Sequence, residues 1–232
     1  MKKNNKLDIC LSILLMVMAS IFIISFSIYL PLNNRQFYYN QIDNLNIVED
    51  LNEYTHENYT KDDVIEAFDD VMDFIWKGKE FKTGKLKFSE SGKSHFADCV
   101  PLFVLDLVVW IVSGSTLTVI LLLLGLKKWK VVNFFNYSPL FYSGIISLLI
   151  VLLIGMFGII DFNKLFNVFH KLFFPGKENW QFDPRYDEVI MILPQDFFMN
   201  CAILIGVGLL TLSSISIVYG VLKRYKIVKM MD

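Results

Sequence analysis

Four long stretches of this chain are almost without charge. Residues 9–34, 131–160 and 197–222 hold no Asp, Glu, Lys or Arg, and residues 99–126 hold only Asp106. Each exceeds the roughly 20 residues that carry a helix across a ~30 Å hydrocarbon core. With 54% hydrophobic residues in a chain of 232, four spans leave little sequence for a separate water-soluble domain. The pattern predicts an all-α membrane protein, one polytopic domain with spans at about 9–30, 102–126, 138–160 and 198–222.

The first run follows Lys2, Lys3 and Lys6, as a secretory signal would. It is too long for a signal's apolar region, and no small-residue cleavage site ends it. It reads as a retained first span, with Cys10 at its start. Orientation comes from the basic residues. Residues 1–8, 127–135 and 223–232 carry ten Lys and Arg in 27 residues, against twelve in the other 205. Basic loops stay cytoplasmic, which places both termini inside. Segments of about 31–98 and 161–197 then lie outside and form an extracellular cap. Cys10, Cys99 and Cys201 make no CxxC pair and no disulfide framework. Cys99 and Cys201 both fall near outer span ends and could meet there, but a role as small packing residues is expected.

Within the first outer segment, Thr60 and Asp63 have the spacing of a capping box. Val64, Ile65, Phe68, Val71, Met72 and Ile75 follow at helical spacing and Gly78 ends the pattern, so residues 61–77 read as one amphipathic helix. Its apolar stripe is expected to pack on the cap or lie on the membrane surface. Residues 80–94 are polar and lysine-rich and read as a loop or short hairpin. The second outer segment is dense in phenylalanine, and Phe lacks the polar handle that draws Trp and Tyr to a headgroup belt. That composition suits a lining for lipid chains.

Three histidines remain. His56 stands in an acidic, solvated stretch and reads as a surface residue. His95 lies just before the second span, with Asp98 and Asp106 at offsets of 3 and 11 if the stretch is helical. Pro101 is best tolerated in a first turn, so the helix is expected to start near 98–100. His170 lies just after the third span, in line with Asn163 and Asn167. Two imidazoles at one interface, each near carboxylates, suit acid–base chemistry near neutral pH. Asp106 is expected to enter the hydrocarbon zone, where a carboxylate is costly. No HExxH, GxSxG or phosphate-cradling glycine loop is present. A zinc site from His95, Asp98 and His170 has no usual ligand spacing.

"FSESGKSHFADCVPLF" at 88–103 resembles the F-S-E…H-x-x-D-V motif of the lipoprotein intramolecular transacylases, small membrane enzymes of Gram-positive bacteria. Ser91 and Gly92 stand where that motif has an Arg-Glu pair, and Pro101 departs from it. "DFNKLFNVFHKLFFPGKENWQFDPRYDEVIMILPQDFF" at 161–198 resembles the family's longer second signature. The resemblance implies four transmembrane helices under an extracellular cap, in the plasma membrane. It implies His95 and His170 as catalytic residues, with Asp98, Asp106, Asp161, Asp183 and Asp187 in support. Phe166, Phe173, Phe174, Trp180 and Phe197 would line the substrate pocket. The implied reaction moves the sn-2 acyl chain of a diacylglyceryl lipoprotein to the α-amine of its own N-terminal cysteine, giving a lyso-form lipoprotein. Cofactors are none: no acyl donor, nucleotide or metal is required. The expected partners are the lipoprotein and membrane lipid, with no nucleic acid. A lipid acyl hydrolase using the same histidines, or a non-catalytic membrane protein with a partner-binding cap, are the alternatives.

Overall fold

The computed structural model describes residues 6–126 and 128–229. Lys2, Lys3 and Lys127, which weigh in the charge bias, lie outside the described residues. Eight α-helices follow in order: α1 (Lys6–Leu32), α2 (Arg35–Ile42), α3 (Ile47–Thr55), α4 (Lys61–Lys77), α5 (Glu90–Gly125), α6 (Pro139–Ile160), α7 (Phe162–Phe173) and α8 (Gln195–Lys229). A 3-10 turn at Glu188–Ile190 precedes α8, and the described residues contain no strand. Helices α1, α5, α6 and α8 are long and apolar enough to cross a membrane. Even the shortest, α6 with 22 residues, rises about 33 Å.

The chain divides into two compact units. One comprises residues 1–30, 106–157 and 204–232, the apolar parts of the four long helices. Four serines of α1, in an apolar setting, turn to backbone. Ser12, Ser20, Ser25 and Ser27 each donate to the carbonyl four residues earlier at 2.7–3.0 Å. Small residues let α6 and α8 approach closely. A Cβ built at Gly144 would overlap the Ser213 carbonyl, and Ser143 Oγ lies 3.2 Å from Ser216 Oγ.

The second unit comprises residues 31–105 and 158–203. Its core gathers Tyr38, Ile42, Leu51, Val64, Phe68, Val71 and Ile192. Tyr38 stacks on Phe68 with ring centroids 3.7 Å apart, and its buried hydroxyl donates to the Ile192 carbonyl at 2.7 Å. The apolar stripe of α4 faces this core, so it is packed and not exposed. Thr60 and Asp63 form the expected capping box, and Gly78 closes α4 at φ +63. His56 is exposed, at the end of α3.

Two sequence expectations are corrected here. Residues 90–94 are helix and not loop, and α5 begins at Glu90 and not at 98–100, with Pro101 inside it. The reason is a cap supplied from far along the chain. Ser89 accepts from the Gly92 N–H at 3.0 Å in ordinary N-cap fashion. Asp187 in turn accepts from both the Ser89 N–H and its hydroxyl, at 2.7 and 2.9 Å. Next to it, buried Glu188 accepts from the Lys87 N–H at 3.0 Å, the Lys87 ammonium at 2.7 Å and the Tyr59 hydroxyl at 2.9 Å. Against these bonds Pro101 removes one, to the carbonyl of Ala97, an exposed residue.

Candidate active site

His95 lies on α5 in the second turn after its cap, and His170 lies in the last turn of α7. Both are buried, at 6% and 7% exposure, although neither belongs to the apolar core. Their ring centroids are 5.7 Å apart, with planes inclined by 35°. Asp161 starts α7 by accepting from the Lys164 N–H at 2.9 Å, and Gly176 at φ +74 turns the chain after it. That turn carries residues 177–182 back over the two rings.

Aromatic side chains enclose the pair. Phe174 meets His95 edge-on at 4.9 Å, and Phe182 does so at 5.5 Å. Phe166 lies 4.2 Å from His170, and Trp180 stacks on it at 4.8 Å with an angle of 27°. Among the five predicted pocket residues, these contacts include Phe166, Phe174 and Trp180. Phe173 is exposed and packs on Phe169, while Phe197 sits edge-on to Tyr38 in the core. Phe197 is drawn there because α8 begins beside the core, so that ring stabilises the unit.

A hydrogen bond fixes the tautomer of one ring. His170 Nδ1 is 2.8 Å from the Phe166 carbonyl, which can only accept. Nδ1 therefore carries the proton, and Nε2 of the neutral ring keeps its lone pair. Burial lowers the His170 pKa, and the Phe166 carbonyl works against that shift. For His95, which stands before the apolar part of α5, burial is the main cause of a pKa lowered to about 4; neighbouring His170 adds to it, and Asp98 opposes it. His95 Nε2 is 3.6 Å from Cys99 Sγ, and Nδ1 is buried without a hydrogen-bond partner among the described residues. Burial thus favours the neutral form of both rings.

The supporting carboxylates divide. Asp98, one of the supporting residues, turns its oxygens to Lys177 and Asn179, and both lower its pKa. A flexible ammonium and an amide reach a partly exposed carboxylate more readily than a buried ring does. Asp187 caps α5 and Asp161 caps α7. Asp183 is occupied by Arg185, whose backbone and guanidinium donate to it at 2.5–3.0 Å. Asp106 lies eleven residues beyond His95, about 16 Å of helix rise. Asn163 and Asn167 are exposed on α7. Among the described residues, no three His, Cys, Asp or Glu side chains gather as metal ligands, and all three cysteines are reduced.

Sequence reasoning missed Lys177 and Asn179. The Pro-Gly pair at 175–176 was the available signal, since a turn there returns the following residues to the helix end. Gly92, a departure from the motif, also has a reason. A Cβ at that position would overlap Asp187 Oδ1 and come within 2.9 Å of Phe182.

The family model described as lipoprotein intramolecular transacylase Lit matches residues 13–198. No curated protein matches the chain. Among solved structures, the chain is similar to the membrane integral lipoprotein intramolecular transacylase Lit from Bacillus cereus, at 24% identity and a TM-score of 0.81. The alignment covers 97% of this chain and 99% of the other. A structure of that protein with one histidine changed to arginine matches at 24% identity and a TM-score of 0.74, covering 97% and 94% of the two chains. The fold is shared over nearly the whole length, and the family match spans both histidines. The chain belongs to the lipoprotein intramolecular transacylase family and is a multi-pass membrane acyltransferase that acts on lipoproteins.

Proposed function

We propose that His95 and His170 perform this acyl transfer, moving the sn-2 chain of a diacylglyceryl lipoprotein to the α-amine of its N-terminal cysteine. The observation that carries the reading is the buried pair itself: two imidazoles 5.7 Å apart within an aromatic enclosure, one in a fixed tautomer. The α-amine, with a pKa of about 7.7–8, attacks the ester carbonyl. His170 Nε2 takes its proton as the C–N bond forms. His95, kept neutral by burial, donates an N–H to the developing oxyanion. As the C–O bond breaks, the glyceryl oxygen receives a proton from the pair, and His170 passes on the one it took. Donor and acceptor are parts of one molecule, so holding the substrate folded supplies much of the rate.

The acyl chains are seated by Phe166, Phe174 and Trp180. The exposed apolar face of α7, with Val168, Phe169, Leu172 and Phe173, rests in membrane lipid. The protein forms one polytopic domain of the plasma membrane, with both termini cytoplasmic. Residues of about 31–98 and 161–197 form its extracellular cap, so the histidines work at the outer interface. The charge bias supports this orientation.

The product is an isomer of the substrate, so the test is fragmentation mass spectrometry of lipoprotein N-termini from cells with and without this protein. N-acyl, monoacylglyceryl cysteine appearing only with the protein is expected. Loss of one acyl chain as free acid would instead mean a hydrolase. Unchanged diacylglyceryl cysteine with a free amine would mean a non-catalytic protein.

A further inference from the structure

We propose that Asn179 is the seat of the substrate's α-amine, an assignment that rests on the transacylase reading above. The Asn179 carboxamide is bound on one side only. Its Nδ2 donates to Asp98 Oδ2 at 2.9 Å and to Ser94 Oγ at 3.4 Å. A carboxylate can only accept, so the nitrogen must face Asp98 and Oδ1 turns elsewhere. Oδ1 is buried and has no hydrogen-bond partner among the described residues. A buried carbonyl oxygen without a donor is costly and calls for a reason. Asn179 stands between the histidines in connectivity: Ser94 directly precedes His95, and Trp180 directly follows Asn179 and stacks on His170.

Two donors of the same segment are directed elsewhere. Lys177 is paired with Asp98, and the Trp180 indole N–H donates to the Lys177 carbonyl at 3.0 Å. A substrate amine offers what is wanting, an N–H donor beside the reacting ester. The acceptor's chemistry matters as well. A bare carboxylate would hold the amine as ammonium, with no lone pair for attack. Asn179 is uncharged, and Lys177 offsets the charge of Asp98. An N–H bonded to Oδ1 therefore fixes a neutral amine and leaves its lone pair directed away from Asn179. The site selects a substrate that presents an N–H donor at its N-terminal cysteine.

The probes are a short peptide beginning with diacylglyceryl cysteine and its desamino counterpart, in which hydrogen replaces the α-amine, each tested against full-length protein carrying His170→Gln to stop turnover. The free-amine peptide should bind about 10-fold tighter than the desamino one, the worth of one hydrogen bond from the amine to Oδ1. Adding Asn179→Leu, or the milder Asn179→Ala, should remove that preference by weakening the free-amine peptide alone. Lys177→Met, which loosens the same segment but spares Oδ1, should weaken both peptides and keep a preference. Equal weakening of both peptides by the Asn179 variants, or a preference that survives them, overturns the proposal. If the His170→Gln protein binds neither peptide, the transacylase reading falls with it.

Discussion

Trp180 stacks on His170 with ring centroids 4.8 Å apart, and its indole nitrogen is anchored to the Lys177 carbonyl. The indole keeps water from one face of the ring, and burial is what lowers the His170 pKa. Trp180→Ala should hydrate the ring and let its pKa rise toward the ordinary 6.5. A base works only when neutral, and a higher pKa means more protonated ring at a given pH. The acid limb of the pH–rate profile should therefore move to higher pH, and turnover should fall more than the amount of inserted protein. An unmoved limb with activity falling in step with protein would reduce Trp180 to packing.

The Asp187 cap yields a prediction about stability. Asp187→Ala leaves the Ser89 N–H and hydroxyl without their carboxylate, and the expected cost is about 1–3 kcal/mol. Ser89→Ala should cost about 1 kcal/mol through the lost N-cap. The two act on one network, so the double variant should lose less than the sum. Thermal unfolding in detergent checks this. Additive losses would mean that Asp187 and Ser89 act separately.

What the sequence discloses follows from the range of each interaction. The long spans are written in consecutive residues, and the α4 helix carries its own cap, stripe and stop within residues 60–78. Those features depend on near neighbours and are legible without coordinates. The start of α5 is not, because Pro101 argues locally for a late start while the deciding carboxylate lies 98 residues away at Asp187. The site divides in the same way. His95 and His170 stand out by residue type at an interface, and the family signature marks them. Which carboxylate faces which group depends on the return of residues 177–182, so Asp98 pairs with Lys177 and Asn179 and not with a ring. Phe197 likewise shares its signature with the site aromatics, yet tertiary packing takes it into the core beside Tyr38.

The orientation is tested by fusions. A reporter active only outside the cytoplasm should work when joined after residue 60 or 185 and fail after residue 130 or 232. Activity at 130 would place both histidines on the cytoplasmic side, away from exported lipoproteins.

The histidine pair bears the most weight. If one proton cycle runs through both rings, His95→Ala or His170→Ala should each remove most of the activity while insertion is retained. General acid–base groups typically contribute about 10²–10⁴-fold. Groups that act as a unit are not additive, so the double variant should be little worse than the poorer single one. Asp98→Asn should cost less than either, because it bears on the reaction only through Asn179 and Lys177. Turnover should persist in the presence of chelators, since the proposed cycle moves protons between nitrogen and oxygen alone. These values come from single-turnover conversion of a diacylglyceryl peptide to its N-acyl isomer by purified protein. Near-normal conversion by His170→Ala would remove the base from the mechanism, and full additivity in the double variant would separate the two rings into independent roles.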